Sequence, residues 1–115
     1  MIKQGEIYLA NFGNRYNSEI GKVRPAVVLQ SDFFNRAIKS QVYKQVLVAP
    51  LSTLPIEDDY RLLIKARDRL NKDSYIIANW LCTLDLEHIL IEKGVITILT
   101  SIEFEMLKQK VCSLI

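Results

Sequence analysis

A chain of 115 residues, half of them hydrophobic, has the length of one domain and enough apolar material for one core. It contains no run of about 18 apolar residues, which excludes a membrane-spanning helix. Met1-Ile2-Lys3-Gln4-Gly5 lacks the apolar stretch of a secretory signal, so a single cytoplasmic domain over residues 1–115 is expected.

Short apolar runs with alternation dominate and predict strands. The first covers residues 6–12, opened by Gly5. A polar loop rich in turn formers follows to Lys22. The second strand, 23–30, has a Pro-Ala-Val-Val-Leu centre that is apolar on both faces, the pattern of a strand buried twice, inside a barrel or beneath a partner subunit. Pro25 near its start is tolerated there. A helical turn is expected from Ser31-Asp32, with Ser31 as N-cap. The third strand is 43–51, running into Ser52-Thr53. The fourth is 60–66, with Leu62, Ile64 and Ala66 on one face, Arg61 and Lys65 on the other, and Arg67 and Arg69 just beyond. Residues 74–82 form the fifth strand, 85–90 a short helix and 94–99 the sixth strand. Thr100-Ser101-Ile102-Glu103 reads as a capping box opening a helix whose Phe104, Leu107, Val111 and Leu114 make one stripe. The class is mainly β with short helices, a curled antiparallel sheet of the small SH3-like barrel kind closed by a C-terminal helix.

Charge is unevenly spread within a net +2. Residues 1–45 carry seven Lys/Arg against three Asp/Glu, and residues 46–115 eight against ten. A polyanion would prefer the N-terminal half, although a solvated surface produces the same asymmetry. Cys82 and Cys112 are far apart, sit in apolar surroundings and match no metal-ligand spacing, so two buried, reduced thiols are expected. No metal or cofactor motif is present. His88 is the only histidine, which rules out a two-histidine mechanism within one chain.

The densest polar group is Ser18-Glu19-Ile20-Gly21-Lys22-Val23-Arg24-Pro25. Glu19 can accept a proton, Arg24 can present a planar fork to a phosphate, and Gly21 lets the loop turn sharply. Five extended residues would separate Glu19 from Arg24 by roughly 16 Å, so only a folded loop aims both at one phosphate. On residue types alone, a surface loop with an incidental Glu–Arg pair accounts for this at least as well.

Gly5-Glu6-Ile7-Tyr8, the Ser18-Glu19-x-Gly-x-Val23-Arg24-Pro25 loop with the Val-Val-Leu after it, Ala49-Pro50-Leu51-Ser52-Thr53 and Thr83-Leu84-Asp85 resemble, in order and spacing, the successive motifs of the PemK/MazF-like toxins of type II toxin–antitoxin systems. The resemblance implies a CcdB/PemK-type barrel, a homodimer, sequence-selective cleavage of single-stranded mRNA without a metal or cofactor, and neutralisation by a cognate antitoxin. It implies that Arg24 is the catalytic arginine, Ser52 the catalytic hydroxyl and Glu19 a general base. RNA supplies its own nucleophile, the 2′-hydroxyl, so no water need be activated. Asn14, Arg15, Tyr16, Asn17 and Lys22 around the first loop, Thr53, and the Arg61/Lys65/Arg67 face are the candidates for holding RNA. Some members carry an acidic residue where this chain has Asn79, and Cys82 replaces a frequent arginine, so no catalytic role passes to either. Asn79 stands as a reader of a base edge or as a plain strand polar residue. Two rivals share the fold: a CcdB-like gyrase poison and a non-catalytic RNA- or protein-binding module. The first is disfavoured because the chain ends Cys112-Ser113-Leu114-Ile115, without the terminal tryptophan such poisons use.

Overall fold

The computed structural model describes residues 1–16 and 22–115. Among the described residues, seven strands form one antiparallel sheet: β1 (Glu6–Asn11), β2 (Val23–Val28), β3 (Gln45–Ser52), β4 (Arg61–Ile64), β5 (Ser74–Ile77), β6 (Cys82–Asp85) and β7 (Thr97–Ile98). The order is β4-β5-β3-β2-β1-β7, with β6 also paired to β3. Two helices complete it, α1 (Asp32–Ala37) and α2 (Ser101–Cys112). The mainly β class and the C-terminal helix stand as the sequence suggests, and the sheet curls into a half-barrel. Among the described residues, no helix is long and apolar enough to cross a membrane.

The sheet curls because both of its faces are apolar. Odd positions of β1–β3, such as Ile7, Val27, Ala49 and Leu51, pack with Leu62, Ile64, Ile76 and the helix residue Leu107. Even positions, such as Tyr8, Ala26, Val28, Val46 and Val48, pack on Ile38, Leu84 and Ile89. Leu107 is fully buried, and truncating such a leucine to alanine costs about 2–5 kcal/mol. Gly5, at φ +88°, makes the turn into β1. Its amide donates to the Val28 carbonyl at 2.9 Å and its carbonyl accepts from Leu99 at 2.9 Å, so this one residue joins β1 to both neighbours.

The structure differs from the sequence reading where pairing partners decide. The expected strand 74–82 breaks at Ala78 into a 3₁₀ turn, Ala78–Trp80. β5 pairs with the end of β3, at Leu51 and Ser52, and β6 with its beginning, at Gln45 to Val48. The chain has to slide along β3 between them. Ile76, Ile77 and Ala78 are buried in succession across the break. Asp85 belongs to β6, so the expected helix over 85–90 shrinks to a 3₁₀ turn, Leu86–His88, capped when the Asp85 side chain accepts from the Glu87 amide. Of 94–99 only Thr97–Ile98 pairs. Ser31 occupies the N-cap of α1 without a side-chain bond; the buried Asn35 secures that corner instead, donating to the Gln30 carbonyl at 3.0 Å. Leu114 lies beyond α2 and is exposed, so the helical stripe ends at Val111; Cys112 at the helix end is exposed and Cys82 only partly buried, so the two thiols are not both buried as expected. The Thr100–Glu103 capping box is present.

Candidate active site

Arg24 lies near the start of β2, directly across from Ala10. The β2–β3 register pairs Ala26 with Pro50, Val27 with Ala49 and Val28 with Val48; continued outward, it sets Arg24 opposite Ser52. Ser52 in turn pairs with Tyr75, and Tyr75 with Leu63. Residues directly opposite on neighbouring strands share a face. Ser52, Tyr75 and Leu63 therefore form one row across the sheet, with adjacent Cα atoms about 4.5–5.5 Å apart, and the continued register brings Arg24 to its end. Arg61, opposite Ile77, occupies the next rung of the same face.

The row is partly dehydrated. The Arg24 Nε is out of solvent and, among the described residues, meets no hydrogen-bond partner. Buried donors are nearly always satisfied, so this guanidinium is held ready for an acceptor. Ser52 is 3% exposed and its Oγ accepts from the Leu54 amide at 3.2 Å. A hydroxyl that accepts still has its own proton to donate. The Tyr75 hydroxyl donates to Glu57 Oε1 at 3.3 Å, and burial, followed by the Glu57 charge, raises the phenol above its usual range.

The other expected residues separate into several groups. Asn14 and Arg15 are exposed. Tyr16 is not an open platform: its ring stacks on Trp80 at 4.8 Å with planes 3° apart, and its hydroxyl donates to the Trp80 carbonyl. Burial, then the hydrogen bond with Cys82, pushes that phenol well above its usual range. Asn17 and Glu19 lie outside the described residues. Lys22 is exposed and its carbonyl accepts from the Phe12 amide. Asn79 projects from the 3₁₀ turn beside Trp80, exposed, so it is no longer a strand residue.

Thr53 follows the last residue of β3 and is exposed. Thr53 and Arg24 both line a cleft of about 650 Å³, with Pro25, Asn71, Lys72 and Ser74.

The basic Arg61/Lys65/Arg67 group is not one open face. The Arg61 side chain is 7% exposed and its Nε lies 3.5 Å from Asp58 Oδ2. Lys65 is exposed and paired with Asp73 at 3.3 Å. Arg67 makes a bidentate pair with Glu103, both contacts at 2.7 Å, and also donates to Thr97 Oγ1. Arg69 donates to the Lys93 and Val95 carbonyls. Arg67 and Arg69 hold the fold. Tyr75 and Glu57 escaped the sequence reading, because nothing local marks them; only the register brings Tyr75 to Ser52. Among the described residues, no group of three or more His, Cys, Asp or Glu side chains could hold a metal ion.

This half-barrel with a C-terminal helix is the fold of solved MazF toxins. MazF from Deinococcus radiodurans matches with a TM-score of 0.73 at 16% identity, over 98% of this chain and 94% of that one. An endoribonuclease in complex with its cognate antitoxin, from a Mycobacterial species, matches with a TM-score of 0.73 at 15% identity, over 98% and 93%. The Mycobacterium tuberculosis toxin MazF-mt6 matches with a TM-score of 0.71 at 18% identity, over 94% and 93%. The family is settled by sequence: the model for the PemK-like, MazF-like toxins of type II toxin-antitoxin systems matches residues 3–115, and the chain belongs to that family.

Proposed function

We propose that the chain is an endoribonuclease toxin, one domain over residues 1–115, that cuts single-stranded mRNA sequence-selectively in the cytoplasm as a homodimer until a cognate antitoxin covers it. The observation that carries this reading is the buried Arg24 Nε, unpartnered among the described residues and level with Ser52 in the continued β2–β3 register. The chemistry follows from the substrate. The 2′-hydroxyl gives its proton to Glu19 and attacks the adjacent phosphorus; the P–O5′ bond breaks, the leaving oxygen takes a proton from water to end as a 5′-hydroxyl, and Glu19 returns its proton to the hydroxide left in solvent. The other product is a 2′,3′-cyclic phosphate. Arg24 stabilises the charged phosphorane by planar, preorganised donation. With a pKa above about 12, an arginine is a poor proton donor, so its part is electrostatic. The Ser52 proton is free to bond a nonbridging oxygen while Leu54 holds the oxygen in place.

Cleavage of a long single-stranded RNA in excess EDTA, with 5′-hydroxyl ends and loss of cutting when the 2′-hydroxyl at the cut site is replaced by hydrogen, tests the reading. Undiminished cutting of the deoxy-substituted RNA would sink the mechanism. A second reading is favoured by Asn79, an exposed amide where some family members have a carboxylate: a non-catalytic module that binds RNA on this surface. It predicts binding without cleavage in the same tubes. A CcdB-like gyrase poison is less well supported, because the only tryptophan, Trp80, is stacked against Tyr16.

A further inference from the structure

Single-stranded RNA is held by cations on its phosphates and flat side chains under its bases, and the row described above contains one of each. Tyr75 stands opposite Ser52, two strand spacings from Arg24, about 10 Å between Cα atoms, and on the same face. Its ring is half-buried and its hydroxyl donates to Glu57 at the outer edge at 3.3 Å. Leu63 on the next strand is 37% exposed and continues the apolar floor beyond the ring.

The other flat side chains are engaged or elsewhere. Tyr16 already stacks on Trp80. Phe33 and Phe34 pack edge to face on α1. Tyr43 precedes the far end of β3, whose eight residues span about 23 Å. Tyr60 lies in the turn before β4, outside the paired row.

We propose that Tyr75 is the stacking platform for the nucleobase beside the scissile phosphate. The inference rests on the ribonuclease reading and adds to it a positioning residue. By holding the base, the ring fixes the ribose whose 2′-hydroxyl must lie in line with the phosphorus. Stacking tolerates any base, so Tyr75 supplies affinity and alignment, while the choice of sequence lies with other residues.

The experiment uses the full chain and an RNA carrying 2-aminopurine beside the cut site, with a 2′-deoxy sugar there to prevent cleavage. Wild type should quench this fluorophore more strongly than one placed several nucleotides away. Tyr75→Phe should keep quenching and cut within a few-fold of wild type. Tyr75→Leu should lose quenching, and its kcat/KM on cleavable RNA should fall about 5- to 150-fold, the size of one base–aromatic stack, equally for every cut sequence. A folded Tyr75→Leu protein that quenches and cuts like wild type overturns the proposal and leaves the ribonuclease reading standing. Should that variant not fold, the wild-type scan decides alone: no preferential quenching beside the cut site overturns the proposal. A wild-type protein that neither binds nor cuts RNA removes the ribonuclease reading and this inference with it.

Discussion

Arg24 lies where it does because its neighbours on that face are small. Ala10, directly across β1, and Ala26, two residues along β2, are 0% and 2% exposed. Alanines at both positions leave space for a long side chain to lie over the sheet. Its Nε is thereby dried and, among the described residues, unpaired, and a donor held out of water acts more strongly on a developing anion. Arg24→Ala should lower the cleavage rate about 10²–10³-fold, the size of one lost donor to an oxyanion. Its thermal unfolding should stay close to wild type, since no Nε hydrogen bond is lost. Arg24→Lys should recover little, because an ammonium offers no planar fork. A folded Arg24→Ala protein cutting at normal speed would move the active site elsewhere.

Among the elements, α2 shows what was readable in the sequence. Its start was legible because a capping box is local: Thr100 accepts from Glu103 and Glu103 returns a bond to Thr100. The further partner was not. Arg67 reaches Glu103 across 36 residues, so a cation that looked like part of an RNA face is a clamp on a helix end. Arg67 holds the Glu103 carboxyl below its ordinary value of 4.5. A depressed folded pKa means that stability is fully present above the unfolded value and is lost as pH falls through the folded one. Arg67→Met should therefore cost about 1–2 kcal/mol near neutrality, modest for a charged pair that is partly solvated. Urea midpoints of variant and wild type should converge as acid protonates Glu103; a gap that persists unchanged at low pH would show that the arginine acts by packing alone. The break between β5 and β6 was illegible for the same reason as the clamp. It depends on how far β3 extends, and no property of residues 74–82 alone contains that. The pairing of Arg24 with Ser52 likewise came from the resemblance, and only register shows that the two are neighbours.

For the whole molecule, exposed apolar side chains are the leading fact. Val23, Ile98, Ile102 and Met106 are 47%, 55%, 72% and 46% exposed, apolar surface that a second subunit would cover. Light scattering at micromolar concentration should give twice the 13.3 kDa chain mass; a species of the chain mass itself would contradict the proposed dimer. An acidic antitoxin segment should displace a noncleavable RNA, with affinity falling as salt rises; simultaneous binding would place inhibition away from the basic first loop. A different consequence follows from β3. It is bonded along both edges, Val48 meeting Val28 on one side and Cys82 on the other, so its partners lie in distant stretches on either side of it in the chain. Sheets closed by such long loops nucleate late and fold slowly, and the amides of such a strand exchange only when the whole fold opens. A chain still on the ribosome cannot assemble the Arg24, Ser52 and Tyr75 row until residues 74–77 have emerged, so a site of this design comes into being with the finished sheet and not before it.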